Sequence, residues 1–349
     1  MMPVLRRFRR AGVPLHLVAT GQNYPLEAQL LEMSEVEGVD LQITARPIPQ
    51  SPFWLVLWFF TALVKGLVLL PLYMRKTGTS KQRTMVVQGD TISTMLGALL
   101  GRVFGFRVAH IEAGLSSGKW FGPFPEEIDR RIILALSQVN FCPHQVALCN
   151  IKKVNAVNVN TEYNTQLEAI NIALDRAADT RGGTALPAGE YFILVVHRQE
   201  NIYNRQVVIS IVDKIVQVSE RVKCVFILHE PTRKALEKQG LMQTLLSAPN
   251  VILLHRLSLV EFARLLSGCT FLITDGGGNQ EEAYYLGIPC LILRNETERP
   301  VGLGSNAVLY GGDLAVVDSF VEDYRSYRRA PVLPERMPSE VILETLVGQ

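Results

Sequence analysis

Excess charge of one sign is absent from this chain of 349 residues: 35 Lys and Arg stand against 33 Asp and Glu, a formal +2. That balance excludes a polyanion-coating surface, so nucleic acid is not an expected partner. Cysteine is scarce, with five residues (Cys142, Cys149, Cys224, Cys269, Cys290) and no Cys-x-x-Cys pair. They sit mostly in apolar runs, as reduced thiols of a cytoplasmic chain do, and no metal site is expected from them. Repeats and low-complexity tracts are missing too. The basic start (Arg6, Arg7, Arg9, Arg10) runs into Ala11-Gly12-Val13-Pro14-Leu15 and not into an apolar core with a cleavage site, so no signal peptide is read. One long apolar stretch stands out at residues 53–74, where Lys65 is the one charge. Length and composition there satisfy a membrane span, but Lys65 and Gly66 at the middle and Pro71 near the end oppose one. A core helix and a helix resting on a membrane surface stand beside that reading, and a peripheral membrane contact through 53–74 is carried forward as an expectation.

What the chain does contain is a 48% hydrophobic composition, which excludes disorder, and a length suited to two domains. Short β-rich runs alternate with helical patterns from Gly12 onward. Strands are expected at 16–19, 84–87, 107–111, 139–142, 191–196, 223–228, 251–254, 270–274 and 289–293, the signature of an α/β chain with parallel sheets. Gly, Pro and small polar residues concentrate at 176–190, and a fresh strand series follows at once. The expected organisation is two doubly wound Rossmann-like domains with a central cleft: residues 1–185, residues 186–330, and a closing helix at 331–349. Ligands of such folds lie at the carboxyl ends of the strands.

Chemistry-bearing residues cluster at those strand ends. Asp275-Gly276-Gly277-Gly278 joins a strand to a helix, so bare N–H groups and the helix dipole can face a diphosphate, and Glu282 one turn later can accept from ribose hydroxyls. A tight turn with a solvated acidic start fits the same residues. Asp90 and Glu112 follow neighbouring strands, placing two carboxylates where one can act as acid and the other as base, although Asp90 also suits an N-cap. Glu126 opens a helix after Pro125, where the dipole already favours an acid. Two histidines, in His197-Arg198 and at His229, stand just past strands, as N-caps or as anion and proton contacts. Phe262 lies in an amphipathic helix, suited to core packing or to stacking on a base.

Seven ordered blocks, Gly21-Gln22-Asn23-Tyr24, Gly89-Asp90-Thr91, His110-Ile111-Glu112-Ala113-Gly114-Leu115, Pro125-Glu126-Glu127, His197-Arg198, Gly277-Gly278-Asn279-Gln280-Glu281-Glu282 and Thr297-Glu298-Arg299-Pro300, give the chain its family resemblance. It resembles the non-hydrolysing UDP-N-acetylglucosamine 2-epimerases, of GT-B architecture, from about residue 21 to 300. The resemblance implies interconversion of UDP-GlcNAc and UDP-ManNAc for surface polysaccharide precursors, with no cofactor, in a cytoplasmic homodimer. UDP leaves by elimination across C1 and C2, then adds back to the bound glycal with C2 inverted. Carried over by motif, Asp90, Glu112 and Glu126 are the acid/base group and its supports, and His229 acts near the diphosphate. Gly276, Gly277 and Gly278 take the phosphates, Glu282 the ribose and Phe262 the uracil side, while His197, Arg198 and Arg299 add polar contacts. Gln22 and Asn23 occupy a regulatory position of which only the Gln matches.

Departures from the pattern are specific. Family members begin with a strand and a Gly-Thr-Arg-Pro-Glu turn, and Met1-Met2-Pro3-Val4 aligns just after it, so a gap in the first sheet is expected; a start assigned too far downstream is the expected cause, with a genuinely altered protein as the alternative. Ser116 replaces an Arg, and Gly276 replaces a Ser. Alternatives are a hydrolysing 2-epimerase, an epimerase of a modified UDP sugar, a GT-B glycosyltransferase, and a degenerate nucleotide-sugar binder.

Overall fold

The computed structural model describes residues 1–22, 30–44, 52–78, 83–118, 126–179 and 186–348, and the chain divides into two compact units. Unit 1 comprises residues 1–168 and 334–349, and unit 2 comprises residues 169–333.

Unit 1 holds two parallel sheets. The smaller pairs β1 (Val18–Ala19) with β2 (Leu41–Gln42). The larger runs in sequence order through β3 (Thr84–Gln88), β4 (Arg107–Ile111), β5 (Val139–Cys142) and β6 (Val157–Asn160). No ladder joins the two among the described residues. Register decides what meets at the strand ends: Gln88 pairs with Ile111, so the loops carrying Asp90 and Glu112 leave adjacent tips. The basic start forms a helix, Met2–Arg10, with Pro3 in its first turn. Val4 and Phe8 enter the core with Ala109, Ile111, Val139, Phe141 and, from the closing helix Pro338–Val347, Ile342. Outside that core, Arg6 and Arg10 pair with Glu35 at 2.6 and 2.8 Å.

The uncharged run is one helix, Pro52–Thr77. Its buried side, including Trp58, Ala62 and Leu70, shares a core with Ile43, Leu96, Leu100 and Phe106. Gly66 permits the close approach: a Cβ there would lie 2.6 Å from Leu100 Cδ1.

Unit 2 is a single six-stranded parallel sheet of order β12-β11-β10-β7-β8-β9, with β7 Tyr191–Val195, β8 Lys223–Leu228, β9 Val251–His255, β10 Leu272–Thr274, β11 Cys290–Ile292 and β12 Ala307–Leu309. Helices cover both faces, which is why β7 reads as the unbroken apolar run Tyr-Phe-Ile-Leu-Val and is buried throughout. The helix Arg205–Ser219 buries Val208, Ile211, Val212, Ile215 and Val218, a stripe at three- and four-residue steps, and Asn204 caps its first turn. Strand order reverses between β7 and β10, where Thr274 pairs with Val195. The loops after these two strands therefore open side by side at the switch point, where doubly wound sheets bind ligands.

All nine expected strands exist, with ends moved by up to two residues; β2, β6 and β12 are additional. A test of the loop packing lies at Gly114, whose φ of +81° is joined by a contact of 2.2 Å between any added Cβ and the Ala147 carbonyl oxygen. Gly114→Ala is expected to cost about 1–3 kcal/mol of unit 1 stability, read as a lowered urea midpoint.

Candidate functional site

In unit 1 the β3 and β4 tips are tied by two bonds: Gly89 N donates to Ile111 O at 3.1 Å, and His110 Nε2 donates to Gly89 O at 2.9 Å. Burial pushes the His110 pKa down, so the ring is neutral and serves as a strut. Asp90 follows directly. Its Oδ2 accepts from Arg130 Nη2 at 2.7 Å and Nε at 3.1 Å, a charge-assisted pair that aims the carboxylate from the helix Glu126–Leu136. Arg130 Nη1 also reaches Glu127 Oε2 at 3.2 Å, and Glu127 is buried and further satisfied by Ser116 Oγ at 2.7 Å, Ser117 N at 3.3 Å and Arg131 at 3.3 Å. Ser116, where the resemblance expects an Arg, is thus a donor to this buried carboxylate.

Glu112 stands beside the same loop with φ +70°, a conformation that a non-glycine residue adopts only where its surroundings enforce it. Its Oε2 lies 4.0 Å from the point a Gly89 Cβ would occupy, so the structure brings Asp90 and Glu112 together. Glu126 stands one turn before Arg130, and its Oε2 is buried with no hydrogen bond among the described residues. Asp129, on the same helix, is pushed up to about 7 by burial first and then by Asp90 and Glu126. Asp90, Glu126 and Asp129 thus share one electrostatic neighbourhood, in which Arg130 holds Asp90 and Glu127. Gln22 lies elsewhere, its Oε1 accepting Ser93 N–H at 2.9 Å in the first turn of the helix Ile92–Val103. Asn23 and Pro125 lie outside the described residues.

In unit 2 the centre is Asp275, which is buried without exposure. Its carboxylate accepts from His197 N at 3.0 Å, Arg198 N at 2.9 Å and Asn201 Nδ2 at 2.9 Å, and its carbonyl accepts from Arg198 Nε at 3.0 Å. One side chain thus pins the β7 loop to the β10 loop. The His197 ring stacks on His229 with centroids 5.0 Å apart. Burial lowers both; His229, crowded also by His197 and Arg256, falls to about 4 and is neutral at pH 7. His229 occupies the N-cap of the helix Glu230–Gln239 without a side-chain capping bond.

The helix Gly277–Tyr285 begins at Gly276, which supplies no side-chain cap. Neither Gly276 nor Gly277 has room for a side chain: a Cβ would lie 2.8 Å from His197 Cε1 and 2.7 Å from Arg299 Cδ, respectively. Arg299 donates to buried Glu281 at 2.6 Å. Glu298 would be raised by burial, but Arg294 and Arg198 outweigh that and hold it at about 2. Glu282 is buried and accepts from Asn279 Nδ2 at 2.9 Å. The structure therefore gathers His197, Arg198, His229, Gly276, Gly277, Gly278 and Arg299 around one loop pair. Phe262 is placed differently, inside the core with Leu265, Leu266 and Leu272.

Sequence reasoning missed Asp275, Glu127, Asp129 and Arg130 as organisers. Glu127 and Asp275 stand within motifs, and Asp129 and Arg130 follow Glu127 directly; what was not visible is that Arg130 and Asp275 each bridge segments distant in sequence.

Comparison with known proteins follows this geometry. The model of the UDP-N-acetylglucosamine 2-epimerase family matches residues 74–321. UDP-N-acetylglucosamine 2-epimerase of Methanocaldococcus jannaschii is 28% identical over 88% of this chain and 84% of its own. UDP-2,3-diacetamido-2,3-dideoxy-D-glucuronate 2-epimerase of Pseudomonas aeruginosa is 34% identical over 70% of this chain and 68% of its own. A solved structure of the M. jannaschii enzyme, in complex with UDP-GlcNAc and UDP, matches with a TM-score of 0.81, covering 100% of this chain and 96% of that one at 25% identity. With its parallel α/β sheets in the GT-B fold of those structures, the chain belongs to the UDP-N-acetylglucosamine 2-epimerase family.

Proposed function

We propose that this chain epimerises C2 of a UDP-N-acetylhexosamine, converting UDP-GlcNAc and UDP-ManNAc into each other, as the names of its relatives suggest. The observation that carries the reading is the carboxylate group at the β3 and β4 tips. Inversion at carbon requires a proton to leave C2 and another to arrive on the opposite face, and paired carboxylates in a shared field suit that task. In the forward step a carboxylate takes the C2 proton, the C–H electrons form the C1–C2 double bond, and the C1–O bond breaks with its electron pair leaving on UDP. In the return step UDP oxygen re-forms the bond to C1 and C2 is protonated from the other face. Asp90, Glu112 and Glu126 are the groups proposed to move or support these protons, with Arg130 as a positioning residue.

For unit 2 we assign the diphosphate to the helix start at Gly276, Gly277 and Gly278 and to Arg198 and Arg299, aided by the helix dipole. Neutral His229 can donate one N–H to a phosphate oxygen, beside His197. Glu282 suits the ribose hydroxyls, whereas Phe262 packs in the core and is given no ligand contact. A homodimer and a cytoplasmic location go with this reading. A second reading, the same chemistry on a modified UDP sugar, is favoured by the 34% identity to the P. aeruginosa diacetamido-glucuronate epimerase.

Proton NMR of the chain with UDP-GlcNAc in deuterated water tests the proposal: UDP-ManNAc should appear with deuterium at C2. Asp90→Asn and Glu112→Gln should each lower kcat by about 10²–10⁴-fold with little change in KM. Free UDP and sugar accumulating instead would establish hydrolysis, and turnover of only a diacetamido-uronate substrate would establish the second reading.

Asp129 supplies a test that needs no substrate. Its carboxyl loses a proton near its ordinary value of 3.8 when unfolded but near 7 when folded. Between those values the folded chain holds a proton that the unfolded chain lacks, so this group's contribution to stability falls as pH rises from about 4 to about 7. Asp129→Asn should therefore match the wild type at pH 3, exceed it modestly at pH 5 and exceed it by on the order of a few kcal/mol at pH 8 in urea denaturation.

A further inference from the structure

The helix Pro52–Thr77 presents two apolar faces, of which the core uses one. Trp58, Ala62, Gly66 and Leu70 point inward at four-residue steps, and Ala62 has no exposure at all. Trp54, Leu57, Phe60, Val64, Val68 and Leu72 form a second stripe at three- and four-residue steps, with Phe60 58% and Val64 61% exposed. At 1.5 Å per residue this helix of 26 residues is about 39 Å long. A soluble surface rarely displays so long a continuous apolar stripe without a use.

The charge around the stripe identifies what covers it. Between Asp40 and Asp90 the sequence has no acidic residue, yet it carries Arg46, Lys65, Arg75, Lys76, Lys81 and Arg83. Of these, Lys65, Arg75 and Lys76 belong to the helix and are exposed, and Trp54 is exposed toward its other end. Apolar side chains framed by cations, with an indole among them, match an anionic lipid surface: the stripe enters the acyl boundary and the cations meet phosphates. A second copy fits less well. Two such helices paired about their midpoints would set Lys65 against the partner's Lys65, with no acid in either helix to offset it.

Crossing the bilayer is opposed by the packing. The inward face is committed to Leu96, Leu100, Phe106 and Ile43, and Trp58 Nε1 donates to Thr44 Oγ1 at 3.0 Å within that core. The chain enters after β2 and leaves into β3, both of unit 1. We propose that Pro52–Thr77 is an in-plane membrane-docking helix, lying on anionic bilayers with its Trp54-to-Leu72 stripe inserted and its inward face still in the core. The inference does not rest on the catalytic reading, and none of these side chains belongs to the proposed catalytic or nucleotide site.

Flotation of the full chain with phosphatidylcholine vesicles, with and without phosphatidylglycerol, tests it. The protein should float with the anionic vesicles, less with neutral ones, and be stripped by alkaline carbonate. Phe60→Glu and Val64→Glu should each reduce the floated fraction about tenfold or more while leaving the urea midpoint unchanged, and Lys65→Glu about fivefold. Absence of flotation, or flotation unaffected by Phe60→Glu, would overturn the proposal. So would resistance to carbonate, which marks a span, or a lipid-free dimer that Phe60→Glu dissociates, which marks a self-association face. Turnover of UDP-GlcNAc, measured separately, reports on the catalytic reading alone.

Discussion

A carboxylate taken out of water must be met by donors, and the arrangement of both loop clusters follows from that constraint. In unit 2 the unexposed Asp275 spends its oxygens on the backbone N–H groups of His197 and Arg198 and on Asn201. Because two of those donors are backbone, the position of the β7 loop is fixed by a side chain of the β10 loop. In unit 1 the buried Glu127 takes Arg130, Arg131, Ser116 and the Ser117 N–H, and Arg130, once held, holds Asp90. Replacing any one donor leaves a buried charge short of a partner, which costs more than the lost bond itself. The residues that touch these carboxylates are therefore less free to vary than their exposure suggests.

The two clusters differ in what they offer. Unit 2 presents a helix start without a side-chain cap, glycines pressed against His197 and Arg299, and His229, which burial keeps uncharged, a set suited to receiving an anion. Unit 1 presents acids. Ionisation is spread widely within the chain, from Glu298 held at about 2 between two guanidiniums to Asp129 lifted to about 7 by burial and neighbouring acids. Within unit 1 the charges of Asp90 and Glu126 help Asp129 keep its proton, the kind of division between neighbouring carboxyls that acid/base work needs.

Much of this was legible from residue order, and the exceptions share physical causes. Apolar runs such as Tyr191–Val195 announce buried parallel strands because nothing else buries five consecutive side chains so simply. The strand Val157–Asn160 stayed hidden because it alternates Val with Asn at a sheet edge, where Asn158 Oδ1 accepts from Asn140 Nδ2 at 2.9 Å. The strands Leu41–Gln42 and Ala307–Leu309 are too short for any period to show. The helix Met2–Arg10 was hidden by its charges, which read as a basic start until Glu35 supplies their partner. At the site, strand-end motifs located Asp90, Glu112, His197, His229 and the glycine turn. Asp275 was named in those motifs without a role and Arg130 lies just beyond one, since their partners lie 77 and 40 residues away and pairing across that distance leaves no local pattern.

The helix Pro52–Thr77 marks a limit of another kind. Composition reports an apolar cylinder and cannot say how its circumference is divided, so core helix, surface helix and span remained equal in form. Packing divides it. Gly66 lets Leu100 close on one side, the indole of Trp58 finds Thr44, and the helix is thereby anchored by the face that a bilayer crossing would have to release. The opposite face exposes large side chains to water, an arrangement that lowers solubility unless something covers it. Its place beside an acid-free, basic stretch is what turns an apolar surface from a defect of solubility into a surface with a partner.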